Sequence, residues 1–252
     1  MSLKKFLMVG IVAAVLVACD DDGSSDFATR PSGDSSSACD VNIDENCMKD
    51  ERDGQTYRTV KIGSQTWMAE NLNYAYLQPT DKLDSSSFCY KDSAEYCEKY
   101  GRLYQWRAAM DSAGTWSSNG KGCGYETECS PTYPVRGICP EGWHLPDTTE
   151  WNALFTAVGG SSTAGEMLKS TSGWNDDKGV NGNGTDAYGF SVLPAGTGYD
   201  VFFDEGDHAF FWSSTEDSSL LAYYIVLHNY SGTVHLHHGM KHNGHSVRCV
   251  KD

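Results

Sequence analysis

Basic residues are the scarce class in this chain. Nineteen Lys and Arg stand against 34 Asp and Glu, a formal charge of −15. Lys4 and Lys5 belong to an N-terminal leader, and without them the balance is 17 basic against 34 acidic, or −17. A chain so poor in positive charge has no basic face for nucleic acid, nor for an anionic membrane surface. It also lacks a nucleophile elbow, a Walker loop, a dinucleotide fingerprint, an H-E-x-x-H pair and any C-x-x-C. The first four absences remove the commonest signs of catalysis, and the last makes structural zinc improbable. No repeat, heptad or membrane-length apolar run follows residue 19.

What is present first is an address. Lys4 and Lys5 precede an apolar stretch, Phe6 to Val17, that is too short to span a bilayer stably. It ends in Leu16-Val17-Ala18-Cys19, which looks like a bacterial lipobox. Matching lipoproteins are cleaved before the cysteine and acylated on it (palmitate is a common chain), so residues 1–18 read as a signal peptide and Cys19 as the lipid attachment. The membrane is then a partner through that anchor, and the expected location is the cell envelope, at the outer membrane or cell surface. An ordinary secretory signal with a chance cysteine is the competing reading. Residues 19–50, dominated at first by Asp, Ser and Gly, read as a flexible tether. Residues 51–252 form one domain, whose 14 Tyr and 7 Trp are mostly core material. Setting Cys19 aside leaves eight cysteines in an oxidising compartment. Their spacing suggests three local loops, Cys39–Cys47, Cys89–Cys97 and Cys123–Cys129, and the long-range Cys139–Cys249.

The strongest local signal is a helix after Pro146. Asp147 and Glu150 make a capping box, Pro146 and Trp151 a hydrophobic staple, and Trp151, Leu154, Phe155 and Val158 one apolar stripe ended by Gly159. Arg136–Cys139 before it reads as a strand. The alternating residues 57–62, a Gly63-Ser64 turn and Gln65–Met68 read as a hairpin. A short helix capped at Asp92 and stopped at Gly101 follows. Later strands are expected at Phe190–Leu193, Ala209–Ser213, Tyr223–His228, Thr233–His237 and Ser246–Val250.

Three groups could carry chemistry. The Gly173–Gly189 loop is rich in hard oxygen donors, Asp176, Asp177, Asn181, Asn183 and Asp186, as calcium requires. The same composition serves any turn-rich loop. His235, His237, His242 and His245, with His238 among them, offer imidazoles for a transition metal, and are equally a solvated hairpin tip. Trp174, Tyr188 and Tyr199, with Phe202 and Phe203, are candidates for a stacking platform.

The segments DGQTYRTVKIGSQTWMAENL, CYKDSAEYCEKYGRLYQW, GICPEGWHLPDTTEW, GNGTDAYGFSVLPAG, FWSSTE and SVRCVKD, in that order, closely resemble the Fibrobacter succinogenes major paralogous domain, a family of bacterial surface and secreted modules. More distantly, WHLPDTTEWNAL and SVRCVKD are similar to segments of formylglycine-generating and related domains, without the paired redox cysteines of those enzymes. That resemblance implies an α+β, C-type-lectin-like fold with a twisted antiparallel sheet, two main helices and long disulfide-braced loops. Cys139–Cys249 would then fasten the strand before the main helix to the last strand. Trp174-Asn175-Asp176 matches the lectin calcium triplet in letters, but lies far before the last cysteine. The expected function is non-catalytic binding or scaffolding at the surface, of plant-wall polysaccharide or another surface protein. A metal-dependent enzyme or metal-binding protein using the His235–His245 cluster, and a purely structural envelope protein, are the alternatives.

Overall fold

The computed structural model describes residues 39–76, 86–111 and 123–252. Cys19, the lipobox and most of the tether lie outside the described residues. The protein is a sheet-rich α+β structure with curled antiparallel sheets, few helices and four disulfides.

The first sheet has the order β1-β2-β3-β13-β6. Its strands are β1 (Cys47–Lys49), β2 (Thr56–Ile62), β3 (Gln65–Met68), β6 (Trp143–His144) and β13 (Val250–Lys251). β2 and β3 form the expected hairpin, closed by Gly63 at φ 61°, a conformation a side chain would strain. β1, in the stretch assigned to the tether, pairs with β2 and is held by Cys39–Cys47. β13 slots between β3 and β6, with Val250 opposite both Trp67 and His144. Cys139–Cys249 ties its approach to the segment before the main helix.

The second sheet, β9 (His208–Glu216), β10 (Leu221–His228) and β11 (His235–Met240), has β10 in the middle. The third has the order β4-β5-β12-β7-β8, from β4 (Ser87–Phe88), β5 (Leu103–Gln105), β7 (Thr197–Gly198), β8 (Phe202–Phe203) and β12 (Gly244–His245). The helices are α1 (Ala94–Tyr100), α2 (Trp106–Ala109), α3 (Thr148–Ala157) and α4 (Ser161–Leu168). Among the described residues no helix is long and apolar enough to cross a membrane.

The two-residue period of the strands feeds two cores at once. Trp67 on β3 and Phe211 on β9 enter a core with Trp151, Leu154 and Phe155 of α3. Their neighbours Met68 and Trp212 enter the other, with Trp106, Trp143 and Cys139. Every described tryptophan is buried, Trp174 included.

Two expected strands are absent. Arg136–Cys139 is a turn, because Gly137 sits at φ 58°. A Cβ there would meet the Ala109 carbonyl oxygen at 2.2 Å, and Ile138 donates its N–H to that same oxygen. Phe190–Leu193 makes a single bridge, Val192 to Lys169. The carbonyls of Phe190 and Ser191 instead accept from the buried Arg248 guanidinium. Of the segment expected as one strand over Ser246–Val250, only Val250 enters a strand, β13; Ser246 makes an isolated bridge to Phe211 and residues 247–249 are irregular.

Candidate functional site

The Asp/Asn loop does not converge on a cation. Asp186 spends both carboxylate oxygens on the N–H and hydroxyl of Ser191. Asn183 accepts from the Trp174 N–H, and Asn181 accepts from the backbone and side chain of Asn183. Asp176 stays exposed, and Asp177 turns back through its hydrogen bonds with Val180. The loop is organised by a resident cation instead. The buried Lys169 ammonium donates to the carbonyls of Gly182 (2.8 Å), His228 (3.1 Å) and Ser231 (3.3 Å), fastening the loop to the β10–β11 turn. Burial pushes Lys169 below its ordinary pKa.

The aromatic platform does not assemble either. Trp174 is in the core, its indole N–H donating to Val192 and Ser170. Tyr188 is exposed, and Tyr199 lies against His242 with ring centres 4.5 Å apart. Phe202 packs on Phe88 and Tyr90, while Phe203 is exposed.

The four histidines expected together are divided among three places. His235 and His237 stand exposed on β11. His242 packs between the rings of Tyr125 and Tyr199. His245 is buried against Phe210, Trp212 and Tyr224, and burial lowers its pKa to about 3. It is a neutral core residue, with Thr197 Oγ1 3.0 Å from Nδ1. Among the described residues no three His, Cys, Asp or Glu converge as placed into a metal centre.

A groove of about 490 Å³ does gather recognition chemistry. Asp53 and Gln55 form one wall and Asn73-Tyr74-Ala75 the floor. The disulfide-stapled α1 supplies Ala94, Cys97 and Glu98, and Arg102 follows just beyond its end. The floor is rigid for a stated reason. Arg52 stacks its guanidinium 3.9 Å from the Tyr74 ring centre, and it is clamped by buried Asp50 at 2.8 and 2.6 Å and by the Ile138 carbonyl. Asn73 donates its N–H to the Tyr57 hydroxyl, while its Oδ1 is buried without a partner. Gln55 is oriented by Asp53 and by the Asn73 carbonyl. Among the described residues the side chains of Glu98 and Arg102 make no hydrogen bond or ion pair. A tyrosine, a cation and a carboxylate without side-chain partners thus line one opening. Sequence reading missed this groove because its walls come from three segments joined only by folding. The Cys89–Cys97 spacing was its one visible trace.

No curated protein and no solved structure matches the chain. A family model described as the Fibrobacter succinogenes major domain matches residues 60–251, from β2 to β13 and so nearly all of the described fold. The chain therefore belongs to the Fibrobacter succinogenes major domain family.

Proposed function

We propose that this protein is a lipid-anchored module of the cell envelope that binds a polar ligand without transforming it, and that the ligand is carbohydrate, of the plant-wall polysaccharide class. The observation that carries the reading is the groove at Tyr74. Its ring is stacked on the Arg52 guanidinium, and Arg102 and Glu98, which line the same groove, have unspent hydrogen-bonding capacity. Sugars present an apolar ring face edged by hydroxyls, and pockets that combine a preformed aromatic with a few placed polar groups suit them. The insertion of β13 between β3 and β6, tied by Cys139–Cys249, supports a C-type-lectin-like arrangement. The anchor rests on Leu16-Val17-Ala18-Cys19.

The test uses Cys19→Ser protein, whose loss from the membrane fraction of a native-like host is itself the expected result for the anchor. A glycan array of plant-wall oligosaccharides should give a hit that Arg102→Ala weakens at least tenfold with no change in melting temperature, and that Tyr74→Ala weakens at least tenfold in protein shown by circular dichroism to be folded at the assay temperature. Absence of any hit, or a hit indifferent to both substitutions, would overturn the assignment of this groove to carbohydrate.

A further inference from the structure

The sheet edges of this protein are guarded unequally. The first sheet ends in β1, three residues with Lys49 and the Cys39–Cys47 bridge, and in the two-residue β6. The third ends in β4 and β8, two residues each. In the second sheet the outer side of β9 is engaged, by bridges from Gly196 to Ala209 and from Ser246 to Phe211. Its other edge is β11, six residues long and exposed at every position except the half-buried Gly239. Short strands, lysines, prolines and bulges are the usual devices that keep an edge from pairing. His235-Leu236-His237-His238-Gly239-Met240 has none of them. Its ladder with β10 runs from Val226–His235 to Leu221–Met240 without a register shift, so alternate residues direct their N–H and C=O groups away from β10 in a regular row. Among the described residues no backbone group pairs with residues 235–239 from that outer side.

Charge favours a second copy of the chain over a foreign peptide on this edge. From Ser218 to Lys251 there is no Asp or Glu, although the whole chain holds 34 and carries a formal charge of −15. Two such chains repel one another over most of their surface and least where β10 and β11 lie. β11 itself has no Lys, Arg, Asp or Glu, so self-pairing sets no fixed like charges opposite one another. The same lack leaves nothing to select an acidic or a basic peptide. Leu236 and Met240, 37 % and 43 % exposed, share one face with His238. They continue the rows of Ile225 and Leu221, their partners on β10. A twofold centred at His238 keeps that face on the same side in both copies and sets Leu236 of one copy opposite Met240 of the other.

We propose that two copies of the chain associate by antiparallel pairing of β11 with β11 about a twofold axis, joining their three-stranded sheets into one continuous sheet. Main-chain hydrogen bonds along the edge supply the contact, and the Leu236–Met240 pairs cover it on one face. The association is separate from the Tyr74 groove and does not depend on carbohydrate binding.

The test is sedimentation of the full chain carrying Cys19→Ser, which removes acylation as a cause of clustering, over a concentration series at pH 7.5. The mass should rise from one chain to two and stop there, because a closed twofold contact uses both edges. Leu236→Lys and Met240→Lys should each weaken the dimer at least tenfold, since a lysine on the seam is the device the natural edge lacks. Phe203→Lys, at an exposed position of β8, should leave it unchanged. Both seam side chains are exposed, so circular dichroism of these variants as monomers should match wild type. Amide hydrogen exchange in residues 235–239 should slow as concentration rises. A monomer at every concentration, a dimer as sensitive to Phe203→Lys as to Leu236→Lys, or protection of β11 that needs an added peptide of other sequence would overturn the proposal.

Discussion

His144 is held from both sides, with Glu150 on Nε2 and Asp252 on Nδ1, each at 2.7 Å. It joins the start of α3 to β13, and its ring is almost fully buried. Burial alone disfavours its charge, but the two carboxylates outweigh that and raise its pKa above the ordinary value. A raised folded pKa means the folded state binds the proton more tightly. The resulting stability is fully present below about pH 6.5, the unfolded value, and is lost as pH rises through the folded pKa. His228 and His245 have the opposite sign, since burial lowers both. Stability falls as pH drops from about 6.5 toward their folded values, because the unfolded chain takes up protons they refuse. Urea midpoints measured from pH 5 to 9 should show His144→Gln losing most against wild type at the acid end, with the gap narrowing toward pH 9. A constant gap would show that the clasp acts through packing and not through its charge.

α3 was legible because every local signal agreed. Asp147 accepts from the N–H groups of Thr149 and Glu150, Glu150 reaches back to the Asp147 N–H, and Trp151, Leu154 and Phe155 form the buried stripe. α4 had no such signals. It starts at Gly160 without a side-chain cap, and buries only Ala164, Gly165 and Leu168, with Gly165 hydrogen-bonded to the Gly232 carbonyl of a distant turn. α1 starts after Ser93, whose side chain makes no capping hydrogen bond, and not after Asp92, which has a left-handed φ of 53° inside the preceding turn. The histidines show the same limit. Closeness in sequence suggested His235 to His245 as one group, but the sheet's register decides neighbours, and it pairs His228 with His208. That pairing needs the β9–β10 ladder, which no local pattern specifies. The quality of the α3 cap can be measured. Asp147→Ala should lower stability by about 1 kcal/mol in chemical denaturation, and Asp147→Asn by much less, because either side-chain oxygen can accept the two N–H bonds. Equal losses would place the effect in the charge of Asp147 at the helix start and not in its hydrogen bonds.

At the scale of the whole molecule, the first sheet is complete only when the end of the chain returns. β13 is its fourth strand and lies between β3 and β6, so neither the β2–β3 hairpin nor the segment entering α3 has its full set of partners until then. The Met68 N–H donates to the Cys249 carbonyl and that of Leu72 to Val247, so the return also closes the backbone hydrogen bonds around the core at Cys139 and Trp143. The four disulfides act on this topology unequally. Cys123–Cys129 spans a separation of 6 and Cys139–Cys249 one of 110. In the chain-entropy account the short loop is worth about 2 kcal/mol and the long one about 4–5 kcal/mol, a difference of roughly 2–3 kcal/mol. The local bridge braces one turn, whereas the long bridge restricts every unfolded conformation that separates β13 from its place. The double variant Cys139→Ala/Cys249→Ala should therefore lower the urea-unfolding free energy well below that of Cys123→Ala/Cys129→Ala. Hydrogen exchange should then accelerate together in β3, β6 and β13, while the three-stranded sheet stays protected. If the two double variants were equally stable, or if exchange rose only around residue 139, the returning strand would be held by its ladder and packing alone, and the bridge would add no constraint of its own.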